Sequence, residues 1–175
     1  MASFQEAVAK TELWEGGYSN HPNDSGGETY RGISRKNWPQ WEGWAIVDEY
    51  RFYTYWNERN YLLGLNTILQ GLVVDFYHKN FWQYDGLNDQ DVAWKVFDLG
   101  VNVGKTHAVK ILQQVVGTNM DGVYGPNTER LTNGHPVGSL APLVRTSAEA
   151  YHKVIVQSHP EDAVFLKGWL RRDEA

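Results

Sequence analysis

Two carboxylates, Glu15 and Asp24, stand at the ends of a short polar segment, with eight residues between them. The segment is rich in Asn, Asp, Pro and Gly, which favour loops and hairpins over a packed core. A carboxylic acid that keeps its proton can donate it to a leaving oxygen, and a second carboxylate can activate water or attack directly. The pair therefore suits cleavage of a glycosidic bond, provided that a hairpin brings the two groups to face each other. The sequence does not give their separation, so inversion and retention both stay open.

The helix predicted before this segment gives Glu15 a suitable environment. Ser3 and Glu6 have the spacing of a capping box. Glu15 falls four residues after Thr11, at the edge of the apolar face and in the last turn, where the helix dipole raises a carboxyl pKa by less than about one unit. Desolvation against Trp14 would raise the pKa further. A simpler interpretation, in which Glu15 ends the helix and points to water, also stays open. The apolar face consists of Phe4, Ala7, Val8, Thr11 and Trp14.

Composition narrows the class of protein. A chain of 175 residues and 20.0 kDa suits one domain with its own core. The formal charge of -5 and the pI near 5.6 weigh against nucleic acid as a partner. The chain has no cysteine, which excludes disulfides and thiolate chemistry.

The sequence also lacks targeting signals. No basic start followed by an apolar run marks a secretory signal, and the most apolar stretch, Ile68 to Val74, is too short for a membrane span. We therefore expect a chain made in the cytoplasm without a signal peptide and without stable membrane insertion. We expect it to be a monomer.

Beyond the polar segment the pattern is mainly helical, and strand signals are confined to the region between Tyr18 and Ile33. A long aromatic helix is predicted from about Val47 to Tyr61, broken by Gly64 and Asn66. Further helices are predicted from Ile68 to Trp82, after a cap at Asn88 or Asp89, from about Ala108 to Val116, from about Leu140 to Ile155, and after Pro160.

Aromatic residues make up 14% of the chain and include eight tryptophans. Flat rings can cover the apolar faces of sugars, so this excess agrees with a glycan substrate. Trp38, Trp41 and Trp44 come at three-residue steps, and core packing is the simpler interpretation of each. We expect at least one of them to line a cleft.

Metal and nucleotide sites find no support. The six histidines show no zinc spacing, and Asn23, Asp24 and Glu28 do not fit the register of a calcium loop. The stretch from Gly100 to Thr106 has one residue too few between its glycines for a phosphate-binding loop, and we interpret it as a helix-ending turn. No metal and no cofactor are predicted.

Several motifs resemble glycoside hydrolase family 108, lysozyme-like N-acetylmuramidases found largely in bacteriophages and bacteria. The first cluster is Glu15-Gly-Gly-Tyr18, Asn20-x-Pro22-x-Asp24-x-Gly-Gly27 and Thr29-x-x-Gly32-Ile33. The resemblance resumes with Phe81-Trp82, Phe97-Asp98, Val101-Asn102-x-Gly104 and the closing Phe165-Leu-Lys-Gly-Trp-Leu170. It implies a mainly α, lysozyme-like α+β fold, a helical bundle with a short β-hairpin or loop at the active site.

By this resemblance Glu15 is the catalytic acid, and the order of residues, which is similar to phage-type lysozymes, makes Asp24 and Thr29 the partners that orient water. The spacing from Asp24 to Thr29 is one residue shorter than in the phage-type pattern. Tyr18 and Asn20 are expected to line the site. Trp38 and Trp41 are expected to bind substrate as well.

The resemblance also implies a domain plan. Residues 1–175 form a single lysozyme-like domain, with a catalytic lobe at 1–90 and a helical lobe at 91–175. The stretch from Leu112 to Thr128 is similar to a peptidoglycan-binding motif, and we expect it to be packed into the body of the protein. The Trp-rich segment between Ser34 and Phe81 is longer than the family pattern.

The predicted function is hydrolysis of the β-1,4 bond between N-acetylmuramic acid and N-acetylglucosamine in peptidoglycan glycan strands. A phage endolysin, bacteriolytic once it reaches the wall, fits this activity. Such an enzyme would need a holin lesion or dedicated export. A lytic transglycosylase, which needs one acid and no water, and a non-catalytic peptidoglycan-binding protein are the alternatives.

Overall fold

A computed structural model describes residues 1–12, 16–20, 27–53 and 55–174, without the side chains of Glu12 and Trp56. Within these ranges helices predominate and one small sheet is present, which confirms the predicted mainly α, lysozyme-like α+β class. The helices are α1 Phe4–Glu12, α2 Gly43–Glu49, α3 Trp56–Leu65, α4 Thr67–Phe81, α5 Gln90–Val103, α6 Lys105–Val115, α7 Pro126–Asn133, α8 Ala141–Ser158, a 3-10 turn Pro160–Asp162, and α9 Ala163–Glu174. The strands are β1 Tyr18–Ser19, β2 Thr29–Tyr30 and β3 Ile33–Ser34.

The sheet forms in the region where strand signals were predicted. Its order is β1-β2-β3, with both neighbouring pairs antiparallel. Arg31 and Gly32 form the two-residue turn between β2 and β3, and both have positive φ, 45° and 77°. Such φ values match the twist of a tight hairpin. The hydroxyl of Tyr77 donates a 2.6 Å hydrogen bond to the Arg31 carbonyl, which stabilises this uncommon backbone conformation.

The predicted helix from Val47 to Tyr61 is wrong, because α2 ends at Glu49 and α3 begins only at Trp56. Four of the six residues from 50 to 55 are aromatic, and aromatic side chains lose rotamer freedom in a helix. Phe52 and Tyr55 are 84% and 76% exposed, so burial does not compensate for that loss. Gly64, expected to break the helix, lies inside α3 instead.

Helix α5 begins after the predicted cap and ends in the predicted helix-ending turn. The Asp89 carboxylate caps its start by accepting hydrogen bonds from the N–H groups of Asp91 and Val92. Gly104, with φ of 88°, separates α5 from α6. Gly100 lies within α5, so only Gly104 of the two glycines forms the turn.

The segment similar to a peptidoglycan-binding motif is held together by one buried amide. Gln113 is 2% exposed. Its Nε2 donates to Asp121 Oδ1 at 2.7 Å and to Thr128 Oγ1 at 3.3 Å, and its Oε1 accepts from Gly122 N at 2.9 Å. The motif residues Gln113, Asp121 and Thr128 thus connect α6, the turn and α7, which is a structural use of the motif.

The chain divides into two compact units, residues 1–11 with 81–175, and residues 12–80. The first contains the core around Phe4, Trp82 and Phe97. This division groups residues 1–11 and 81–90 with the C-terminal helices, and the assignment of a catalytic lobe at 1–90 and a helical lobe at 91–175 stays a prediction. No helix in the described ranges combines the length and apolar character needed to cross a bilayer.

Candidate active site

The two predicted carboxylates, Glu15 and Asp24, lie outside the described residues. The other predicted site residues, Thr29, Tyr18, Asn20, Trp38 and Trp41, lie within them and belong to the unit of residues 12–80. The structure therefore describes five of the seven predicted site residues.

Tyr18, Asn20 and Thr29 lie on or directly beside two neighbouring strands of the sheet, and the register places the side chains of Tyr18 and Thr29 on opposite faces. Thr29 lies on the central strand and pairs with Ser19 on one side and Ser34 on the other. Tyr18 precedes Ser19 on β1, and the exposed Asn20 follows it. Thr29 is half-buried, and the antiparallel pairing fixes its position relative to β1.

Asn60 on α3 fixes the strand that follows the predicted acid. Its Oδ1 accepts a hydrogen bond from Tyr18 N at 2.5 Å, and its Nδ2 donates to Tyr18 O at 3.5 Å. One side chain thus pairs both backbone groups of Tyr18. A Cβ on Gly17 would lie 2.1 Å from Asn60 Oδ1, so glycine at position 17 is what permits this close approach.

Arg59 covers the ring of Tyr18. Its guanidinium carbon lies 3.6 Å from the ring centroid, and its Nη2 donates to Val47 O at 3.2 Å. Tyr18 is only 7% exposed. The side chain predicted to line the site therefore packs beneath Arg59, where a cation over a ring face is stabilising, and it supports β1.

An ion-pair cluster around Arg35 supports the other edge of the sheet. Arg35 Nη1 and Nη2 donate to both oxygens of Asp48, at 3.1 and 2.7 Å, and Arg35 Nε lies 2.6 Å from Glu28 Oε2. The guanidinium also lies 4.4 Å from the ring centroid of Trp44. The hydrogen bonds from Arg35 lower the pKa of Asp48 below its usual value. Glu28 is thus committed to Arg35.

A groove of about 570 Å³ lies between residues 37–42 and one face of α4. Trp38 and Trp41, both predicted to bind substrate, line it together with Phe76. Trp38 is 39% exposed and meets Phe76 edge-on, with ring centroids 4.9 Å apart. The polar residues around these rings are Asn37, Gln40, Glu42, Asp75, Lys79 and Asn80. Aromatic surfaces with hydrogen-bonding groups nearby suit a sugar.

The third tryptophan of the series belongs to the core. Trp44 is 3% exposed, and its Nε1 donates to Trp38 O at 2.8 Å. It meets Trp41 edge-on at 5.1 Å. The expectation that at least one of the three lines a cleft is met by Trp38 and Trp41, while core packing describes Trp44.

Sequence reasoning missed Arg59, Asn60 and Phe76. The contact of Asn60 with Tyr18 joins residues 42 positions apart, and no local pattern signals it. Phe76 has a weak signal, because it shares helical spacing with the buried Leu69 and Val73. Within the described residues, no group of three metal-ligating side chains is assembled.

Comparison with known proteins gives the class. Residues 8–104 match the family described as Glycosyl hydrolase 108, so the chain is a glycoside hydrolase. The match spans more than half of the chain, and the chain belongs to glycosyl hydrolase family 108. This membership supports a peptidoglycan substrate. A search of curated proteins finds no match.

A solved structure is similar over nearly the whole chain. It is SagA of Brucella abortus, 27% identical, with a TM-score of 0.71. The alignment covers 98% of this chain and 89% of that chain. The similarity therefore includes the residues beyond 104 as well as the family region.

Proposed function

We propose that this glycoside hydrolase cleaves the β-1,4 bond between N-acetylmuramic acid and N-acetylglucosamine in peptidoglycan. The observation that carries the proposal is the family match, whose residues 8–104 include Glu15, Asp24, Thr29, Tyr18, Asn20, Trp38 and Trp41. The groove lined by Trp38 and Trp41 supports a glycan as substrate.

In the proposed mechanism Glu15 protonates the leaving oxygen and Asp24 orients the attacking water. Thr29 helps to hold that water through its hydroxyl, since a threonine hydroxyl can both donate and accept a hydrogen bond. Its place on the central strand supports this role, because the pairing with Ser19 and Ser34 restrains its backbone.

Digestion of purified peptidoglycan tests the assignment, with the wild type beside Glu15→Gln. We expect muropeptides with free reducing ends from the wild type and none from a folded Glu15→Gln protein. Mass spectrometry separates these products from the anhydro ends that a lytic transglycosylase makes. Undiminished digestion by Glu15→Gln rejects Glu15 as the acid, and binding without any digestion by the wild type leaves only a wall-binding protein.

Three further variants test the water-orienting pair. Asp24→Ala should lose most of the rate with little change in stability. Thr29→Val, which removes the hydroxyl and keeps the shape, should lose about tenfold if one hydrogen bond of about 1.4 kcal/mol is lost in the transition state. Thr29→Ser should recover most of that loss. Equal rates for Thr29→Val and the wild type would remove Thr29 from the mechanism.

We propose further that the enzyme acts as a phage endolysin, made in the cytoplasm and delivered to the wall through a holin lesion or dedicated export. Expression in a bacterial host, with and without a co-expressed holin, tests this proposal. Lysis that depends on the lesion would assign delivery to the holin route, and lysis of equal speed without it would assign delivery to dedicated export. No lysis in either case would reject the endolysin role.

A further inference from the structure

The groove between residues 37–42 and α4 has walls that are held together by side-chain contacts. Trp38 meets Phe76 edge-on, with ring centroids 4.9 Å apart. Trp41 Nε1 donates a hydrogen bond to Leu72 O at 3.4 Å. Each contact joins the segment of residues 37–42 to α4, so the groove is formed before a ligand enters it. Its volume of about 570 Å³ is that of a typical ligand site.

The same groove lies beside the strand that carries Thr29. The ring of Trp41 stacks on the ring of Tyr30, with centroids 6.4 Å apart and planes 18° apart. Tyr30 follows Thr29 directly on β2 and is only 1% exposed. Trp41 therefore connects the groove to the hairpin, and a glycan held in the groove lies next to β2.

Three charged side chains line this groove without a partner. Glu42 comes from one wall, and Asp75 and Lys79 come from the other, where their four-residue spacing places them on one side of α4. All three are exposed. Within the described ranges, none of the three side chains forms a hydrogen bond or an ion pair, whereas Arg35 and Asp48 nearby in the sequence are paired at 2.7 Å. The groove thus offers charges of both signs to its occupant.

These charges distinguish between the possible occupants. An uncharged glycan would cover the rings of Trp38 and Phe76 but would partly dehydrate the three charges without pairing them, which costs binding free energy. Peptidoglycan carries stem peptides on its sugars. The stems bear carboxylates, and their diamino acid bears an ammonium group wherever the stem is not cross-linked. Charge complementarity therefore favours a sugar with its stem peptide attached.

We propose that Glu42, Asp75 and Lys79 are specificity-determining residues that recognise a stem peptide on the glycan. Lys79 binds a carboxylate of the stem, and Asp75 and Glu42 bind the ammonium group of an uncross-linked diamino acid. The enzyme thus prefers strands that carry such stems over bare glycan. The inference rests on the proposed peptidoglycan substrate and needs no assumption about which residues act as acid or base.

Isothermal titration calorimetry with two probes tests the proposal. One probe is the disaccharide N-acetylglucosamine–N-acetylmuramic acid with an uncross-linked stem peptide, and the other has a simple amide in place of the peptide. Neither contains the bond that the enzyme is proposed to cleave, so both stay intact. The wild type should bind the peptide-bearing probe about five- to tenfold more tightly.

Variants that remove one charge and keep the approximate shape assign this preference to the groove. They are Lys79→Met, Asp75→Asn and Glu42→Gln. Each should reduce the preference about two- to fivefold, which is the contribution of an exposed ion pair, and should leave the affinity for the amide probe unchanged. Equal affinity of the wild type for the two probes would overturn the proposal. Binding of neither probe, or an undiminished preference in all three variants, would do the same.

Two controls complete the design. Lys36→Met removes an exposed lysine that does not line the groove, and it should keep the full preference. Trp38→Ala should weaken both probes equally, because it removes a ring surface and no charge. Digestion of purified peptidoglycan separates the two assignments. If the wild type digests it but binds both probes equally, only the recognition of the stem fails; if the preference holds without digestion, only the proposed hydrolysis fails.

Discussion

At the scale of single residues, the contact between Gly17 and Asn60 explains why a glycine stands directly before β1. The amide of Asn60 reaches Tyr18 only because position 17 has no side chain. Gly17 lies two residues beyond Glu15 in the sequence. The absence of a side chain at position 17 therefore lets α3 hold β1.

Gly17→Ala should lower the free energy of unfolding by about 1–3 kcal/mol, because Asn60 must move and give up its bonds to Tyr18. Urea unfolding measures the change, and hydrolysis should weaken as the hairpin shifts. Gly16→Ala is the matched control, since a Cβ there meets no atom of the described residues within 4 Å. In an Asn60→Ala background Gly17→Ala should cost much less; equal costs in both backgrounds would contradict the contact.

The burial of Tyr84 makes the free energy of unfolding depend on pH. It is fully buried against Trp82 and Tyr124, and burial raises its pKa to about 12. The unfolded chain has the ordinary value of about 10, so the folded state favours the neutral phenol. The contribution of Tyr84 to stability is complete below pH 10 and is lost as the pH rises toward 12, by up to about 3 kcal/mol.

Urea unfolding between pH 8 and pH 11 tests this prediction. The free energy of unfolding should fall less steeply with pH in Tyr84→Phe than in the wild type, because the variant has no phenol to ionise at that site. Tyr61→Phe is the control, because it removes the same hydroxyl from a residue that is 66% exposed. Parallel slopes for the wild type and Tyr84→Phe would contradict the assignment.

At the scale of elements, local sequence patterns predicted those helices and strands whose position depends mainly on neighbouring residues in the sequence. The apolar spacing and the Asp89 cap predicted α5, and the strand signals between Tyr18 and Ile33 predicted the place of the sheet. The break between α2 and α3 was not predicted, because its aromatic residues were interpreted as the buried face of one long helix. Phe52 and Tyr55 are in fact exposed. The hydrogen bonds between Asn60 and Tyr18 were not predicted either, because the two residues come into contact only in the tertiary structure.

The groove between residues 37–42 and α4 gives a prediction at this scale. Trp38→Ala should raise KM for peptidoglycan about tenfold, the loss expected when one aromatic contact of about 1.4 kcal/mol is removed, with little loss of stability. Trp44→Ala should instead lower the free energy of unfolding by about 3–5 kcal/mol, because it empties a core position.

Trp38→Phe supplies the control, since it keeps a flat ring in the groove and should hold KM close to the wild-type value. Initial rates over a range of peptidoglycan concentrations and urea unfolding give the two quantities. An unchanged KM in Trp38→Ala would show that the glycan does not use this groove.

At the scale of the whole molecule, the first compact unit combines the two ends of the chain. Ala2 N donates to Leu87 O at 2.7 Å, and Ser3 N donates to Gln90 Oε1 at 2.6 Å. Gln90 Nε2 returns a bond to Ser3 O at 3.0 Å. The capping-box spacing predicted the start of α1, and Ser3 Oγ does accept from Glu6 N at 3.4 Å. The partner of the Ser3 amide, 87 residues away, could not be read from that spacing.

Gln90→Ala tests how strongly this pairing anchors the start of the chain. Two hydrogen bonds to Ser3 disappear, so the free energy of unfolding should fall by about 1–3 kcal/mol, and the amides of α1 should exchange with solvent faster than those of α6. Gln114→Ala, an exposed glutamine change on α6, should alter neither quantity. If Gln90→Ala exchanges its α1 amides at the wild-type rate, then α1 is held by Phe4, Ala7 and Val8 in the core and by the hydrogen bond from Thr11 Oγ1 to Asp98 Oδ1, and the pairing of Ser3 with Gln90 adds nothing to it.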